Sequence, residues 1–161
     1  REKMGDTLLN IGISADDSSC GWVYFFLNVL KFKEVRIVEY HKPNYDFVYE
    51  KFKDNPRVSL YHGDVRDLDT LLPQNSDCAF WWHGPEHIPL EDLSKSLSEL
   101  ENKTNNAIIW GCPWGNYYHC GEGSYLGDKH HFFPENHNFT DIGMNVVNTG
   151  DKKNTGSGNI L

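Results

Sequence analysis

The chain has 161 residues, 39% of them hydrophobic and 24% charged, values that are ordinary for a globular protein. Its formal net charge of -8 and the lack of a basic patch argue against nucleic acid as a partner. No run approaches the roughly 18 apolar residues of a membrane span and no signal peptide is visible, so the sequence predicts a cytoplasmic protein without a membrane partner.

Strands and helices are predicted to alternate along the chain. Runs of apolar and β-branched residues predict strands, and apolar residues spaced three and four apart predict helices. In chain order the elements are a strand at 7–14, a helix within 14–32, a strand at 34–40, a helix at 42–55, a strand at 57–64, a helical turn at 65–73, a strand at 77–82, a helix at 89–102, a strand at 106–111 and two final strands at 141–150 and 157–161.

This order predicts one α/β domain over residues 1–161. Strands joined by helical crossovers form a mostly parallel, doubly wound sheet that is covered on both faces. The last two strands are separated by a polar turn, so they predict a C-terminal antiparallel hairpin in a sheet of about seven strands. The stretch 112–133, rich in Gly, His and Tyr, is predicted to be a long, lid-like loop.

Ligands of such sheets bind at the carboxyl ends of the strands, which directs attention to the segments that follow them. "NIGISAD" (10–16) follows the first strand, Glu39 ends the second, and "HGDVRD" (62–67) follows the third. Together with the strand order, these motifs resemble class I S-adenosylmethionine-dependent methyltransferases over almost the whole chain. The resemblance implies a Rossmann-like fold with S-adenosylmethionine as the cofactor.

The resemblance also implies roles for two acidic residues. Glu39 matches the acid that binds both ribose hydroxyls in the family, a role that suits a carboxylate because it accepts two hydrogen bonds at once. Asp64 matches the acid that meets the adenine amino group, with the backbone of Val65 nearby. The alternatives are a solvated strand-end acid for Glu39 and a helix N-cap for Asp64.

The first loop departs from the family pattern of an acid followed by three alternating glycines. Asn10 replaces the acid, Gly12 is kept, and Ser14 and Asp16 replace the later glycines. A carboxylate at Asp16 would either attract the positive groups of the cofactor or block its pocket. The cofactor-binding residues that the resemblance implies are Gly12, Ser14, Asp16, Glu39, Asp64 and Val65.

The segment "WHGPEH" (82–87) resembles the family's segment that faces the methionine moiety and the substrate. His83 and His87 are the catalytic candidates, since a histidine can take a proton from an acceptor near neutral pH. Helix capping or surface exposure is the alternative for each. Tyr118 and His119 are further candidates for the acceptor side.

Three other features of the sequence are assigned no functional role. Trp81 and Trp82 should face opposite sides of a strand, one of them in the core, with a tryptophan wall for a ligand as the alternative. The four cysteines are widely spaced and predict reduced, buried thiols. Zinc-ligand types occur without the spacing of a compact zinc module, so no metal site is predicted; these residues are Cys112, His119, Cys120, His130 and His131.

The resemblance therefore implies a methyltransferase that passes the methyl group of S-adenosylmethionine to an unidentified small or medium acceptor molecule. The altered glycine loop favours an alternative, a catalytically inactive methyltransferase-like module for binding or assembly. A nicotinamide dehydrogenase fits less well, because no GxGxxG follows the first strand. The sequence leaves the oligomeric state open, a homo-oligomer included.

Overall fold

A computed structural model describes residues 4–113, 129–132 and 135–143, together with the backbone of residues 159–160. The chain divides into two compact units. The first unit comprises Arg1–Phe80 and Ser96–Ile108, and the second comprises Trp81–Lys95 and Ile109–Leu161. The single domain over residues 1–161 stays a prediction.

Five parallel strands form the sheet, in the order β3-β2-β1-β4-β5. This is the strand order of a Rossmann-like fold. The chain adds β2 and β3 on one side of β1, then crosses over and adds β4 and β5 on the other side. All five strands confirm the sequence prediction. Their bounds are Thr7–Ile11 for β1, Glu34–Glu39 for β2, Val58–His62 for β3, Ser76–Trp82 for β4 and Thr104–Pro113 for β5.

The first four helices also lie where the sequence predicts them, whereas the fifth was not predicted. Short 3-10 helices precede α3 and α4, at Val65–Asp67 and Pro85–His87 respectively. The helices are α1 at Asp17–Asn28, α2 at Lys42–Phe52, α3 at Leu68–Leu71, α4 at Leu90–Asn102 and α5 at Asn136–Thr140.

The core of the first unit forms around β1 and β2. Four successive residues of β1 and five of β2 are buried, so both faces of these strands are covered, as expected for the centre of a parallel sheet. The two strands pair in register from Thr7 opposite Glu34 to Ile11 opposite Val38. Buried members of this core include Leu8, Val23, Phe26, Ile37, Val48 and Phe52.

Aromatic residues hold the described part of the second unit together. The rings of Trp110 in β5 and Phe139 in α5 lie 4.4 Å apart between centroids, and Phe139 is fully buried. Trp81 is buried and lies against Gly84, where an added Cβ would come within 1.9 Å of the indole Nε1. Any side chain at position 84 would therefore displace the tryptophan.

The predicted C-terminal hairpin is not seen in the described part of the chain. Asp141–Gly143 form a turn instead of a strand, and residues 144–158 lie outside the described residues. The physical reason is local: Glu135 and Asn138 form a reciprocal capping box that starts α5, and Gly143 then takes a positive φ of 88°. Asn159–Ile160 form a short strand, β6, that pairs antiparallel with the end of β5.

The long loop predicted at 112–133 begins later than expected, because Cys112 and Pro113 belong to β5. Residues 129–132 contain no helix or strand, and the remainder of that prediction falls outside the described residues. The buried free thiols Cys20, Cys78 and Cys112 confirm the prediction for three cysteines, while Cys120 lies outside the described residues. Within the described segments, no helix is both long enough and apolar enough to cross a membrane.

Candidate functional site

Glu39 ends β2 with its side chain turned inward, and only 5% of the residue is exposed. One carboxylate oxygen, Oε2, accepts a hydrogen bond from the Ile13 backbone N–H at 2.7 Å, and the other, Oε1, accepts from the His41 N–H at 2.6 Å. Burial raises the pKa of Glu39, while these backbone bonds and one from the Asn44 side chain pull it back. The alternative of a solvated strand-end acid is therefore wrong.

Two hydrogen bonds, one through the backbone N–H and one through the carbonyl of Gly12, fix the loop after β1. The Gly12 N–H donates to the Val38 carbonyl at 2.8 Å, and the Asn10 side-chain amide donates to the Gly12 carbonyl at 2.9 Å. Gly12 has a φ of +76°, a left-handed conformation that glycine adopts without strain. Apart from its chain neighbours, no atom lies within 4 Å of where a Cβ would be, so the loop leaves open space there.

Asp16 and Ser14 are exposed, and Asp16 acts as the N-cap of α1. The carboxylate of Asp16 accepts hydrogen bonds from the Ser19 N–H and the Ser19 hydroxyl, both at 2.8 Å. These bonds, the backbone one first, lower the pKa of Asp16. The side chain is therefore used in starting the helix, and its predicted role toward a cofactor stays a prediction.

Asp64 caps the 3-10 helix at Val65–Asp67, as its alternative interpretation predicts. Its Oδ1 accepts from the Arg66 N–H at 2.9 Å and from Nε at 3.0 Å, and Oδ2 accepts from Nη2 at 2.7 Å. Val65 is buried beside it. An adenine amino group would have to share this carboxylate with the arginine.

The residues of the first unit thus fit the ribose of an adenosyl cofactor better than its adenine. A buried carboxylate and an open glycine turn lie together at the ends of β1 and β2, where a ribose diol can donate hydrogen bonds to an acid. Glu39 ties the two strand ends together through its bond to the Ile13 N–H. The predicted adenine acid, Asp64, is instead engaged by Arg66.

The second unit presents a different cluster after β4. Glu86 lies in the 3-10 helix at Pro85–His87 and is completely buried, with an exposure of 0%. Neither carboxylate oxygen has a hydrogen-bond partner among the described residues. Its Oε1 lies 3.6 Å from Nδ1 of His83 and 3.9 Å from Nε2 of His87.

The two predicted catalytic histidines therefore flank one buried acid. His83 is half exposed and has a φ of 52°, a conformation that costs energy for a residue with a side chain. Its N–H donates to the Gly111 carbonyl at 2.7 Å, which anchors it to β5. Of the two alternatives for these residues, helix capping is not observed as a side-chain bond at this 3-10 helix, whereas surface exposure holds for His83.

Trp81 and Trp82 confirm the predicted alternation, because Trp81 is buried and Trp82 is only partly so. Sequence reasoning missed Glu86, since a glutamate between two histidines gives no sign that it will be buried.

Of the residues with zinc-ligand side chains, Cys112 is buried. Burial, and after it the charge of Glu86, raises the pKa of the Cys112 thiol. Tyr118, His119 and Cys120 lie outside the described residues.

The sequence matches no protein-family model and no curated protein. Many solved structures share the fold at low sequence identity, and a number of them are S-adenosylmethionine-dependent methyltransferases. The N-terminal domain of EvdMO1, solved with SAH bound, is 10% identical with a TM-score of 0.66, and the match covers 99% of this chain and 74% of that one.

Two further solved structures are of proteins much longer than this chain. An O-methyltransferase family protein from Burkholderia thailandensis is 8% identical, with a TM-score of 0.64 over 96% of this chain and 49% of that one. PKMT2 from Rickettsia typhi, in complex with AdoHcy, is 18% identical, with a TM-score of 0.55 over 70% of this chain and 21% of that one. The chain spans less than half the length of these two proteins, and at such identities the likeness shows the fold alone.

Proposed function

We propose that this protein is an S-adenosylmethionine-dependent methyltransferase that acts on a small or medium acceptor with an oxygen, nitrogen or carbon nucleophile. The observation that carries the proposal is the environment of Glu39. A buried carboxylate, bonded to the loop after β1, ends β2 at the edge of the sheet where ligands of this fold commonly bind. The structures of similar fold that were solved with SAH or AdoHcy bound support the same cofactor class.

Glu39 would bind the ribose of the cofactor. A carboxylate has about four acceptor positions, and backbone donors from Ile13 and His41 use two of them. The Asn44 side chain uses a third acceptor position. The two hydroxyls of a ribose would therefore have to share the Asn44 position or displace the Asn44 bond. Binding a diol would add donors to an acid that burial otherwise penalises, and that gain would contribute to affinity.

S-Adenosylmethionine, when bound, would supply the methyl group of its sulfonium for transfer to the acceptor nucleophile. The chain's own contribution would be to hold the two reactants in line and to accept a proton from the acceptor. His83 and His87 are the residues we propose for that proton. The buried carboxylate of Glu86 beside them would stabilise the positive charge that a histidine gains.

A second candidate function follows from Asp64 and Asp16. Both carboxylates are already engaged, one by Arg66 and the other by Ser19 as a helix cap. This pattern favours the alternative of a catalytically inactive module for binding or assembly. The two proposals differ in one measurable property, the affinity for adenosyl compounds.

Isothermal titration calorimetry with S-adenosylmethionine and S-adenosylhomocysteine tests the proposal. We expect the wild-type chain to bind both compounds with micromolar affinity. Glu39→Gln removes the charge and one acceptor position, so it should weaken binding by about 10-fold or more. The matched control is Glu50→Gln, an exposed glutamate on α2 that pairs only with Lys53 among the described residues, and it should leave the affinity unchanged.

The outcome decides between the two functions. Binding that Glu39→Gln weakens and Glu50→Gln does not would justify a screen of acceptors with a labelled methyl group. Absence of binding by a protein with native circular dichroism would overturn the enzyme proposal and leave the assembly module.

A further inference from the structure

Glu86 has an environment that its neighbours in the described chain do not explain. Moving a carboxylate out of water costs several kcal/mol unless hydrogen bonds or a positive charge compensate it. Both oxygens of Glu86 are buried without a hydrogen-bond partner among the described residues. Imidazole nitrogens of His83 and His87 lie 3.6 Å and 3.9 Å from Oε1, which is too far for hydrogen bonds.

A third side chain completes the cluster. The rings of His87 and His130 lie 4.9 Å apart between centroids, nearly perpendicular to each other. One ligand atom from each of Glu86, His87 and His130 can be chosen so that all three lie within 4.8 Å of one another. A tetrahedral zinc ion with ligands at about 2.0–2.1 Å separates its ligand atoms by about 3.3 Å, a distance that small side-chain rotations would reach here.

Backbone contacts place the two histidines side by side. The His131 N–H donates to the Glu86 carbonyl at 2.8 Å, which sets the segment of His130 beside the 3-10 helix. Nδ1 of His87 lies 3.3 Å from the Lys129 carbonyl, so a proton on Nδ1 would leave the lone pair on Nε2, the nitrogen nearer to Glu86. Metal-binding histidines commonly donate their second nitrogen to a carbonyl in this way.

We infer that Glu86, His87 and His130 bind one divalent ion of the zinc class. Two imidazoles and one carboxylate are a ligand set that suits zinc and that magnesium, which prefers oxygen ligands, does not favour. Three protein ligands leave a fourth position open for water or for an oxygen of a second molecule. This ligand set departs from the sequence expectation of no metal site, and it shares only His130 with the cysteine-containing residues named there.

The inference does not rest on methyl transfer, because the ion is held by residues of the second unit alone. It does assign His87 and Glu86 to the metal, so with the ion bound His83 remains the residue proposed to accept a proton, without the stabilising charge of Glu86. Zinc binding can be measured without any adenosyl compound, so its failure and the failure of the proposed function can be told apart.

The test is a titration of the chelator-stripped full chain with zinc chloride, with metal content measured by mass spectrometry after dialysis. We expect one zinc per chain. Glu86→Gln, His87→Ala and His130→Ala should each weaken binding by at least about 100-fold, because each removes a ligand. Substitution with cobalt(II) should give the visible absorption of a low-coordinate site in the wild type and lose it in the three variants.

The matched control is His137→Ala, which removes a histidine that is paired with a glutamate, Glu135, but is exposed. It should bind zinc as the wild type does. The side chains of His87 and His130 are partly exposed, so their alanine variants decide the question if Glu86→Gln fails to fold. The inference is overturned if the stripped wild type takes up no zinc, or if any folded variant of the three residues keeps full affinity.

Discussion

Glu39 shows what a single residue type can and cannot reveal. An acid at the end of a predicted strand is visible in the sequence, and the resemblance to methyltransferases assigns it to the ribose. The burial of its side chain and its bond to the Ile13 N–H depend on how β1 pairs with β2. The sequence therefore predicted the position of the acid, and the sheet determined its environment.

That environment leads to a prediction about pH. Burial raises the pKa of Glu39 above its ordinary value of 4.5, so the free protein keeps this proton to a higher pH than an exposed glutamate would. The stability that Glu39 contributes is thus fully present below the unfolded pKa and is lost as the pH rises through the folded pKa. A ribose diol donates to the ionised form, so affinity for S-adenosylhomocysteine should rise across the same window.

Calorimetric titrations from about pH 4.5 to about pH 8 measure this effect, since the window starts at the ordinary glutamate pKa. The affinity of Glu39→Gln should be flat over the range in which the wild-type affinity climbs. An equally flat wild-type profile would contradict the assignment of Glu39 to the ribose.

Asp64 and Asp16 show where residue type leaves two roles open. Each can be a ligand or a helix cap, and the sequence offers no means to choose. In the structure both act as caps, because a nearby backbone N–H lies within hydrogen-bond reach of each carboxylate. A local partner needs no tertiary pairing, and that is why capping was available from the sequence as an alternative for Asp64.

At the scale of elements, periodicity predicted α4 well. Its leucines at 93, 97 and 100 are buried, whereas Leu90 at the start of the helix is 44% exposed. The repeat of leucines indicates a helix with an apolar stripe, but it does not show where along the helix the stripe leaves the core.

Two leucine variants on α4 test this difference. Leu100 is fully buried, so Leu100→Ala should lower the free energy of unfolding by about 2–5 kcal/mol. Leu90→Ala, the control on the same helix, should change it by less than about 1 kcal/mol because much of the side chain is already in water. Urea unfolding followed by circular dichroism measures both, and equal losses would contradict the burial described for α4.

The region after β5 was the least predictable. The stretch 141–150 was predicted to be a strand, but its described part, residues 141–143, forms a turn after α5. The capping box of Glu135 and Asn138 starts this short helix, and packing of Phe139 on Trp110 stabilises it. A helix of five residues has too little periodicity to be recognised from sequence.

At the scale of the whole molecule, a bound cofactor should stabilise the native state. A ligand that binds only the folded protein raises the free energy of unfolding by mass action, by about 2.7 kcal/mol when its concentration is 100 times its dissociation constant. We therefore expect S-adenosylhomocysteine to raise the melting temperature of the wild-type chain in differential scanning calorimetry.

The same scan with Glu39→Gln, at the same ligand concentration, should show a smaller shift, while Glu50→Gln should match the wild type. An unchanged melting temperature of the wild type at ligand concentrations up to millimolar would contradict cofactor binding.

The sequence by itself determined the alternation of strands and helices from β1 to β5, because apolar periodicity and capping residues act over a few neighbouring positions. The strand order agreed with the resemblance, since a chain of strand–helix repeats has few ways to cover both faces of a parallel sheet. Only the tertiary structure decided that Glu86 is buried between His83 and His87, with His130 brought close to His87 from more than forty residues later in the chain. Burial is a property of what packs around a residue, and such long-range contacts leave no local pattern in the sequence.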